Sequence, residues 1–125
     1  MIFDTDILIW IQRGNAAAAR KVDITPERYL SIQSYMELLQ GAKNKTQHQY
    51  IKDFLADFNF VILPLTENIG HRAAIYIEEY AISSGMRVGD AIIAATAVEN
   101  NMPLMTSNTK HFKSVKDLNL KSFKP

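Results

Sequence analysis

The amino-acid sequence predicts an α/β protein with a central parallel sheet flanked by helices. Short apolar segments of strand character alternate with longer segments whose apolar residues recur at helical spacing. Parallel strands need a long connection between them, usually a helix, so this alternation is typical of parallel βαβ units. The 125 residues suffice for one domain with a hydrophobic core but not for two. We therefore expect a single domain over residues 1–125.

Four short segments have the composition of buried strands. They are Ile2–Phe3, "RYLSI" at 28–32, "FVILPL" at 60–65 and "PLMT" at 103–106. Proline cannot donate a hydrogen bond to a neighbouring strand. Pro64 therefore predicts that the third strand ends there or lies at an edge of the sheet.

Five segments have helical character. The segment at 51–58 follows the i, i+3, i+4, i+7 pattern of an amphipathic helix. A long helix is expected to follow Thr66, which is a suitable cap, and to run toward residues 84–85. The segment at 90–100 is rich in alanine, which predicts close packing on the sheet. The other two lie at 7–11, before a stop at Gly14, and at 34–43. "NAAAAR" at 15–20 is of low complexity and is a candidate linker.

Composition excludes several kinds of site. The absence of cysteine rules out disulfides, thiolate zinc sites and a cysteine nucleophile, and is compatible with a cytoplasmic protein. The apolar stretches are too short to span a bilayer, so no membrane segment is expected. Strand character begins at residue 1, so we expect no signal segment before the fold. The net charge of +1 does not by itself indicate a nucleic-acid partner.

Charge is unevenly distributed along the chain. Residues 110–125 carry five lysines and one acid, Asp117, whereas the rest of the chain has nine basic and twelve acidic residues. Such a basic tail either contacts phosphates or is simply solvated, and the sequence leaves both interpretations open.

Four polar residues fall where strands end or helices begin. Asp4 follows the first strand, Glu37 is expected in the first turn of the helix after the second strand, Asp90 begins a helix, and Asn108 follows the "LMT" strand. Ligands of parallel α/β sheets bind outside the carboxyl ends of the strands, so these four side chains should face one edge of the sheet.

Clustered carboxylates repel one another, and a divalent cation relieves that repulsion. A site built from oxygen ligands suits Mg²⁺ or Mn²⁺. Such an ion lowers the pKa of a bound water and neutralises charge on a phosphoryl group. The pattern therefore predicts metal-assisted hydrolysis of a phosphodiester.

Each of these residues also has a purely structural interpretation. Ser34 and Glu37 have the spacing of a capping box. Asp90 is suited to cap its helix or to pair with Arg87, and Asn108 is a common turn residue.

Three sequence blocks together resemble those of PIN-domain ribonucleases, with the VapC toxins as the nearest match. They are "MIFDTDILI", "SYMELLQGAKNK" and "VGDAIIAATAVENNMPLMTSNTKHF", and the resemblance extends from residue 1 to about residue 120. It implies a PIN-like fold and an endoribonuclease in which Asp4, Glu37 and Asp90 bind Mg²⁺ or Mn²⁺. Asn108 stands at a fourth catalytic position that is often aspartate. Because asparagine is uncharged, the resemblance does not require a second tightly bound metal ion.

The resemblance also implies supporting residues. Thr106 matches a commonly hydroxylated position and is expected to orient a water or a phosphate. Asp6 is expected to support Asp4 or to cap the first helix.

The same resemblance implies partners. VapC toxins form homodimers, cleave structured RNA such as tRNA or rRNA, and are silenced by a VapB-type antitoxin that covers the active site. Candidate phosphate contacts are Lys43, Lys45, Arg87 and Lys110, although each is equally well explained as a solvated cation.

Two other interpretations remain. "FDTD" also resembles the opening motif of haloacid-dehalogenase-type phosphatases, with Asp4 as nucleophile and Asp6 as acid and base. Leu8 departs from that motif, however, and Glu37 and Asn108 have no role in it. The third interpretation is a degenerate PIN module that only binds a partner, which the retention of three acids argues against.

Overall fold

A five-stranded parallel sheet forms the centre of the computed structural model, which describes residues 1–125. The strands in chain order are β1 (Ile2–Phe3), β2 (Tyr29–Ser31), β3 (Val61–Leu63), β4 (Leu104–Thr106) and β5 (Leu120–Ser122). Their spatial order is β3-β2-β1-β4-β5 and every neighbouring pair is parallel. β1 is the central strand although it has only two residues, with Ile2 aligned with Tyr29 on one side and Leu104 on the other.

Six helices connect and cover these strands. They are α1 (Thr5–Gln12), α2 (Ala16–Ile24), α3 (Ile32–Gly41), α4 (Lys45–Asp57), α5 (Glu67–Ser84) and α6 (Val88–Glu99). None of them combines the length and the apolar character needed for a membrane crossing. The expected α/β architecture with a flanked parallel sheet is confirmed.

The two faces of the sheet carry separate hydrophobic clusters because successive strand residues point to opposite sides. Ile2 and Leu104 pack with buried residues of α5 and α6, including the alanines that let α6 approach closely. Phe3 and Met105, their neighbours in sequence, pack on the other face with residues of α1 to α4. The short strands are thus anchored on both sides.

Several local predictions hold. α4 contains the amphipathic segment and buries Ile51 and Leu55. Thr66 caps α5 by accepting a hydrogen bond from the Ile69 amide at 3.2 Å. Gly85 ends the helix with φ of +69°, a left-handed conformation that glycine adopts without strain. β3 lies at the edge of the sheet, directly before Pro64.

The predicted capping box is wrong. α3 begins at Ile32 rather than at residue 34, and its cap is Ser31, whose Oγ accepts from the Ser34 amide at 3.0 Å. β2 runs into α3 without a loop, so the serine that ends the strand also caps the helix. Glu37 therefore lies in the second turn of α3, and its carboxylate is free for another contact.

The candidate linker at 15–20 is also wrong, because these residues start α2. Asn15 caps this helix by accepting from the Ala18 amide at 2.9 Å, and alanine is the strongest helix former.

The C-terminal residues are not a solvated tail. Phe112, Val115, Leu118 and Phe123 are buried, and β5 pairs with β4 to complete the sheet. Arg72 of α5 holds the segment before β5 by donating to Asp117 Oδ2 at 2.9 Å. The lysines lie between these anchors on the surface.

Phe123→Ala should test whether the C-terminal strand belongs to the core. Removing a buried phenylalanine leaves a cavity, so the free energy of unfolding should fall by about 3 kcal/mol, as measured by urea denaturation. Lys124→Ala, at the exposed neighbouring position, is the control and should change it by less than about 0.5 kcal/mol. Equal small effects of the two substitutions would show that the segment directly after β5 is not anchored in the core.

Candidate active site

The carboxyl ends of all five parallel strands lie at the same edge of the sheet. β2 and β3 lie on one side of β1, and β4 and β5 lie on the other, so the chain reverses its direction across the sheet between β1 and β4. This reversal creates the crevice in which open α/β sheets bind ligands. Asp4 directly follows β1 and Thr106 ends β4, so both residues lie at the crevice.

Asp4 is a buried carboxylate with only 7% of its surface exposed. It caps α1, and its Oδ1 accepts a hydrogen bond from the Thr5 amide at 2.7 Å. Its Oδ2 accepts from Thr106 Oγ1 at 2.8 Å. Both oxygens are therefore oriented, one by the first amide of α1 and the other by the last residue of β4.

The electrostatic environment of Asp4 opposes its negative charge. Burial, followed by repulsion from Asp6 and more weakly from Asp90, raises its pKa to about 7, against the opposing effect of the Thr106 and Thr5 hydrogen bonds. Asp4 is thus poised between its neutral and charged forms near neutral pH. A cation beside it would favour the charged form.

Asp6 ties the end of β4 to α1. Its Oδ2 accepts from the Ser107 amide at 2.9 Å, from Ser107 Oγ, and from Thr106 Oγ1 at 3.3 Å. Trp10 Nε1 donates in turn to Ser107 Oγ at 3.2 Å. Because Asp4 caps α1, the capping role predicted as one alternative for Asp6 is wrong. Asp6 instead holds Thr106 and Ser107 at the end of β4. Asp6 Oδ1 is buried without a hydrogen-bond partner.

Glu37 reaches the same edge from α3. Its Oε1 accepts from Thr5 Oγ1 at 2.7 Å. Its Oε2 faces Gly89 in the first turn of α6, where an added Cβ would come within 3.2 Å of it. Glu37 therefore lies between the start of α1 and the start of α6. Sequence reasoning missed Thr5, although its position beside Asp4 could have drawn attention to it.

Asp90 is the third residue of α6 and is partly buried. The residue that caps α6 is Arg87, whose amide donates to Asp90 Oδ2 at 3.4 Å. The predicted alternatives, in which Asp90 is the cap or forms an ion pair with the Arg87 side chain, are both wrong. Its carboxylate instead adds to the negative potential at Asp4.

Thr106 and Asn108 occupy the loop after β4. Thr106 is fully buried, and its hydroxyl is engaged by Asp4, by Asp6 and by the Asn108 amide at 2.9 Å. It therefore orients Asp4 within the protein, and its expected role in orienting a water or a phosphate stays a prediction. Asn108 is exposed and its side chain forms no hydrogen bond.

The acids at this edge suit a metal ion that takes only one or two ligands from the protein. No group of three or more His, Cys, Asp or Glu side chains is arranged to hold an ion together, so the predicted set of three direct ligands is not assembled. Mg²⁺, however, is commonly bound by one or two carboxylates and keeps several waters. Asp4 and Asp90 are close enough to repel each other, and the donors at this edge are all oxygens. This donor set suits Mg²⁺ or Mn²⁺.

A cleft of about 600 Å³ extends from Glu37 between α1, α3 and α4. Arg13 and Lys43 stand on its walls, and Tyr50 lies in its lining. Arg87 and Lys110 are exposed and close in sequence to Asp90 and Asn108, whereas Lys45 lies at the start of α4, outside this lining. The structure thus places Lys43 at the cleft, and it adds Arg13, which sequence reasoning missed.

Comparisons with known proteins agree with this geometry. The family model of the PIN domain matches residues 1–118. The chain is 30% identical over 125 residues to ribonuclease VapC1 of Methanocaldococcus jannaschii, covering 98% of this chain and 86% of that protein. It is 30% identical over 129 residues to a ribonuclease VapC of Rickettsia bellii, covering 94% of this chain and 92% of the relative.

Solved structures show the same fold. A toxin–antitoxin complex from Klebsiella pneumoniae contains a chain of 31% identity with a TM-score of 0.79, covering 94% of this chain and 93% of that one. VapBC2 of Rickettsia felis, bound to a DNA fragment from its promoter, matches with a TM-score of 0.82 at 24% identity, over 99% of this chain and 100% of that one. Together with the fold and the acidic edge, these matches show that the chain belongs to the PIN domain family, as a VapC-type member.

Proposed function

We propose that this protein is a metal-dependent endoribonuclease that acts as the toxin of a type II toxin–antitoxin pair. The observation that carries the proposal is the burial of Asp4 beside two other acids at the switch point of the sheet, where its charge is costly without a cation. We take residues 1–125 as one nuclease domain, because β5 completes the sheet and the segment before it fills the core.

Asp4 and Asp90 would hold Mg²⁺ or Mn²⁺, with Glu37 at the same edge of the sheet. The ion would supply charge neutralisation at the phosphodiester and acidify the attacking water. Thr106 and the Thr5 amide keep the two oxygens of Asp4 oriented. Glu37 Oε2 accepts no hydrogen bond within the protein and is the atom proposed to take the proton of that water.

The RNA would approach over the exposed cations around this edge. Lys43, Arg87 and Lys110 are proposed to contact phosphates, with Lys45 further along α4. Asn108, whose amide is free, is proposed to donate a hydrogen bond to a phosphate oxygen next to the cleavage site. Structured RNA such as tRNA or rRNA is the proposed substrate class.

The partner would be a VapB-type antitoxin, as in the solved complexes of the structural relatives. An acidic edge of this kind attracts a basic side chain, so an antitoxin segment that inserts one beside Asp4 would displace the metal. We also propose a homodimer and a location in the cytoplasm.

The phosphatase alternative has no support in the geometry. The proposed acid and base of that mechanism, Asp6, accepts three hydrogen bonds on Oδ2 from the loop after β4. A module that only binds a partner remains the second candidate, and the following experiment separates it from an enzyme.

Asp4→Asn and Asp90→Asn should each reduce Mn²⁺-dependent RNA cleavage at least about 100-fold, because each removes a charged metal ligand. Cleavage of a labelled RNA mixture under single-turnover conditions measures this. Asp53→Asn, on the exposed face of α4, is the matched control and should cleave as the wild type does. Cleavage that persists in EDTA, or in both active-site variants, would contradict a metal-dependent nuclease.

Metal-free protein should show a specific pH dependence of stability. The pKa of Asp4 rises from 3.8 in the unfolded chain to about 7 in the folded protein. Folding therefore favours the protonated carboxyl. Below about pH 4 the side chain is protonated in both states and burial costs no charge, whereas the free energy of unfolding falls as pH rises toward about 7. Asp4→Asn removes this penalty and should be more stable than wild type by about 4 kcal/mol at pH 8 in EDTA, but not at pH 4. Urea denaturation at both pH values measures the difference, and a constant difference would contradict the assignment.

Expression without an antitoxin should arrest bacterial growth. The Asp90→Asn variant, produced at the same level, should not, because it lacks the proposed metal ligand. Colony counts after induction measure the effect. Normal growth with wild-type protein that cleaves RNA in vitro would count against the toxin role.

A further inference from the structure

A chain of hydroxyl groups leads from the end of β2 to Glu37. Ser31 Oγ lies 3.2 Å from Ser34 Oγ, which lies 2.9 Å from Thr5 Oγ1, which lies 2.7 Å from Glu37 Oε1. The two serines have no exposed surface and Thr5 is 9% exposed. Apart from Glu37 itself, the chain is therefore shielded from water.

The direction of these hydrogen bonds follows from their end point. An ionised carboxylate can only accept, so the single proton of the Thr5 hydroxyl goes to Glu37. Ser34 is then free to donate to Thr5, and Ser31 to Ser34. Each hydroxyl donates once along the chain, and such aligned hydrogen bonds polarise one another.

On its other side, the Glu37 carboxylate lies against a glycine, Gly89. Gly89 lies in the first turn of α6, next to Asp90, and a Cβ there would come within 3.2 Å of Glu37 Oε2 and 3.1 Å of Gln33 Nε2. Its φ is not in the left-handed region, so backbone conformation does not require glycine at this position. The space is used by the Glu37 carboxylate.

We propose that Thr5 and Gly89 are positioning residues for Glu37 in RNA cleavage. Thr5 fixes one carboxylate oxygen by donation, and Gly89 leaves room for the other beside Asp90. This inference rests on the proposed function, because the two contacts would orient Glu37 toward the attacking water. Glutamate has several free rotamers, so without these two contacts its carboxylate would spend little time in that orientation.

Thr5→Val tests the donated hydrogen bond. Valine keeps the shape of threonine and the backbone amide that Asp4 needs, but it removes the hydroxyl. RNA cleavage at saturating Mn²⁺ should fall about 10–100-fold, as is usual when an outer-shell partner of a metal site is lost, and the Kd for Mn²⁺ should rise. Thr5→Ser keeps the hydroxyl donor, so both values should lie within about threefold of wild type.

Thr96→Val is the matched control for the loss of a buried hydroxyl. Thr96 is 1% exposed and bonds only to the Ile92 carbonyl within α6, at 2.7 Å. This variant should cleave RNA and bind Mn²⁺ as the wild type does. Isothermal titration calorimetry of the full chain with Mn²⁺ alone, without RNA, provides the binding readout.

Gly89→Ala tests the other side with a change that does not threaten folding. Alanine favours a helix, and the matched control Gly70→Ala introduces the same methyl in α5 where nothing lies within 4 Å. Gly89→Ala should reduce cleavage about tenfold or more by displacing Glu37, whereas Gly70→Ala should leave it unchanged.

The outcomes separate the two proposals. If both Thr5→Val and Gly89→Ala cleave RNA and bind Mn²⁺ as well as the wild type does, the positioning role of Thr5 and Gly89 is overturned, but the proposed function is not. A failure of Thr5→Ser to recover what Thr5→Val loses would also overturn it, because the effect would then not depend on the donor. Wild-type protein that neither binds Mn²⁺ nor cleaves RNA would overturn the proposed function and, with it, this inference.

Discussion

The structure depends on one unfavourable placement, a carboxylate buried at the end of the central strand. Asp4 follows a two-residue strand that is paired on both sides, so it cannot move toward solvent without disturbing β1. The free-energy cost of its charge is reduced by two hydrogen bonds and increased by the neighbouring acids. Under the proposed function, stability and activity oppose each other at this residue, as they often do in active sites.

The surrounding residues make sense as supports for the acids. Thr106, at the end of β4, and Thr5, at the start of α1, each donate a side-chain hydrogen bond to a different acid, Asp4 and Glu37. Asp6 fixes the loop after β4 through Ser107, which keeps Thr106 in place. Because these supports belong to strand ends and helix starts rather than to long loops, the acidic edge is held by the rigid part of the fold.

The sequence predicts the fold better than the contacts within the site. Alternating apolar segments are sufficient to predict the parallel sheet, and strand-end positions predict that Asp4, Glu37 and Asp90 share an edge. β5 was not predicted because "LKS" at 120–122 lacks a buried apolar pattern, and its partners lie on β4. The cap at Ser31 was missed because β2 passes directly into α3. The proposed roles of Thr5 and Gly89 depend on their contacts with Glu37, which is distant from both in the sequence. The periodicity of apolar residues does not reveal such long-range contacts.

The central claim is that the charge of Asp4 is matched by a divalent cation shared with Asp90. Anomalous diffraction from a crystal of the protein soaked in Mn²⁺ tests this most directly, because manganese can be located independently of the protein density. We expect an anomalous peak about 2.1 Å from a carboxylate oxygen of Asp4 and of Asp90, near the coordination distance of small divalent cations. A fully soaked crystal with manganese only at other surface sites, or with a water alone beside Asp4, would contradict it.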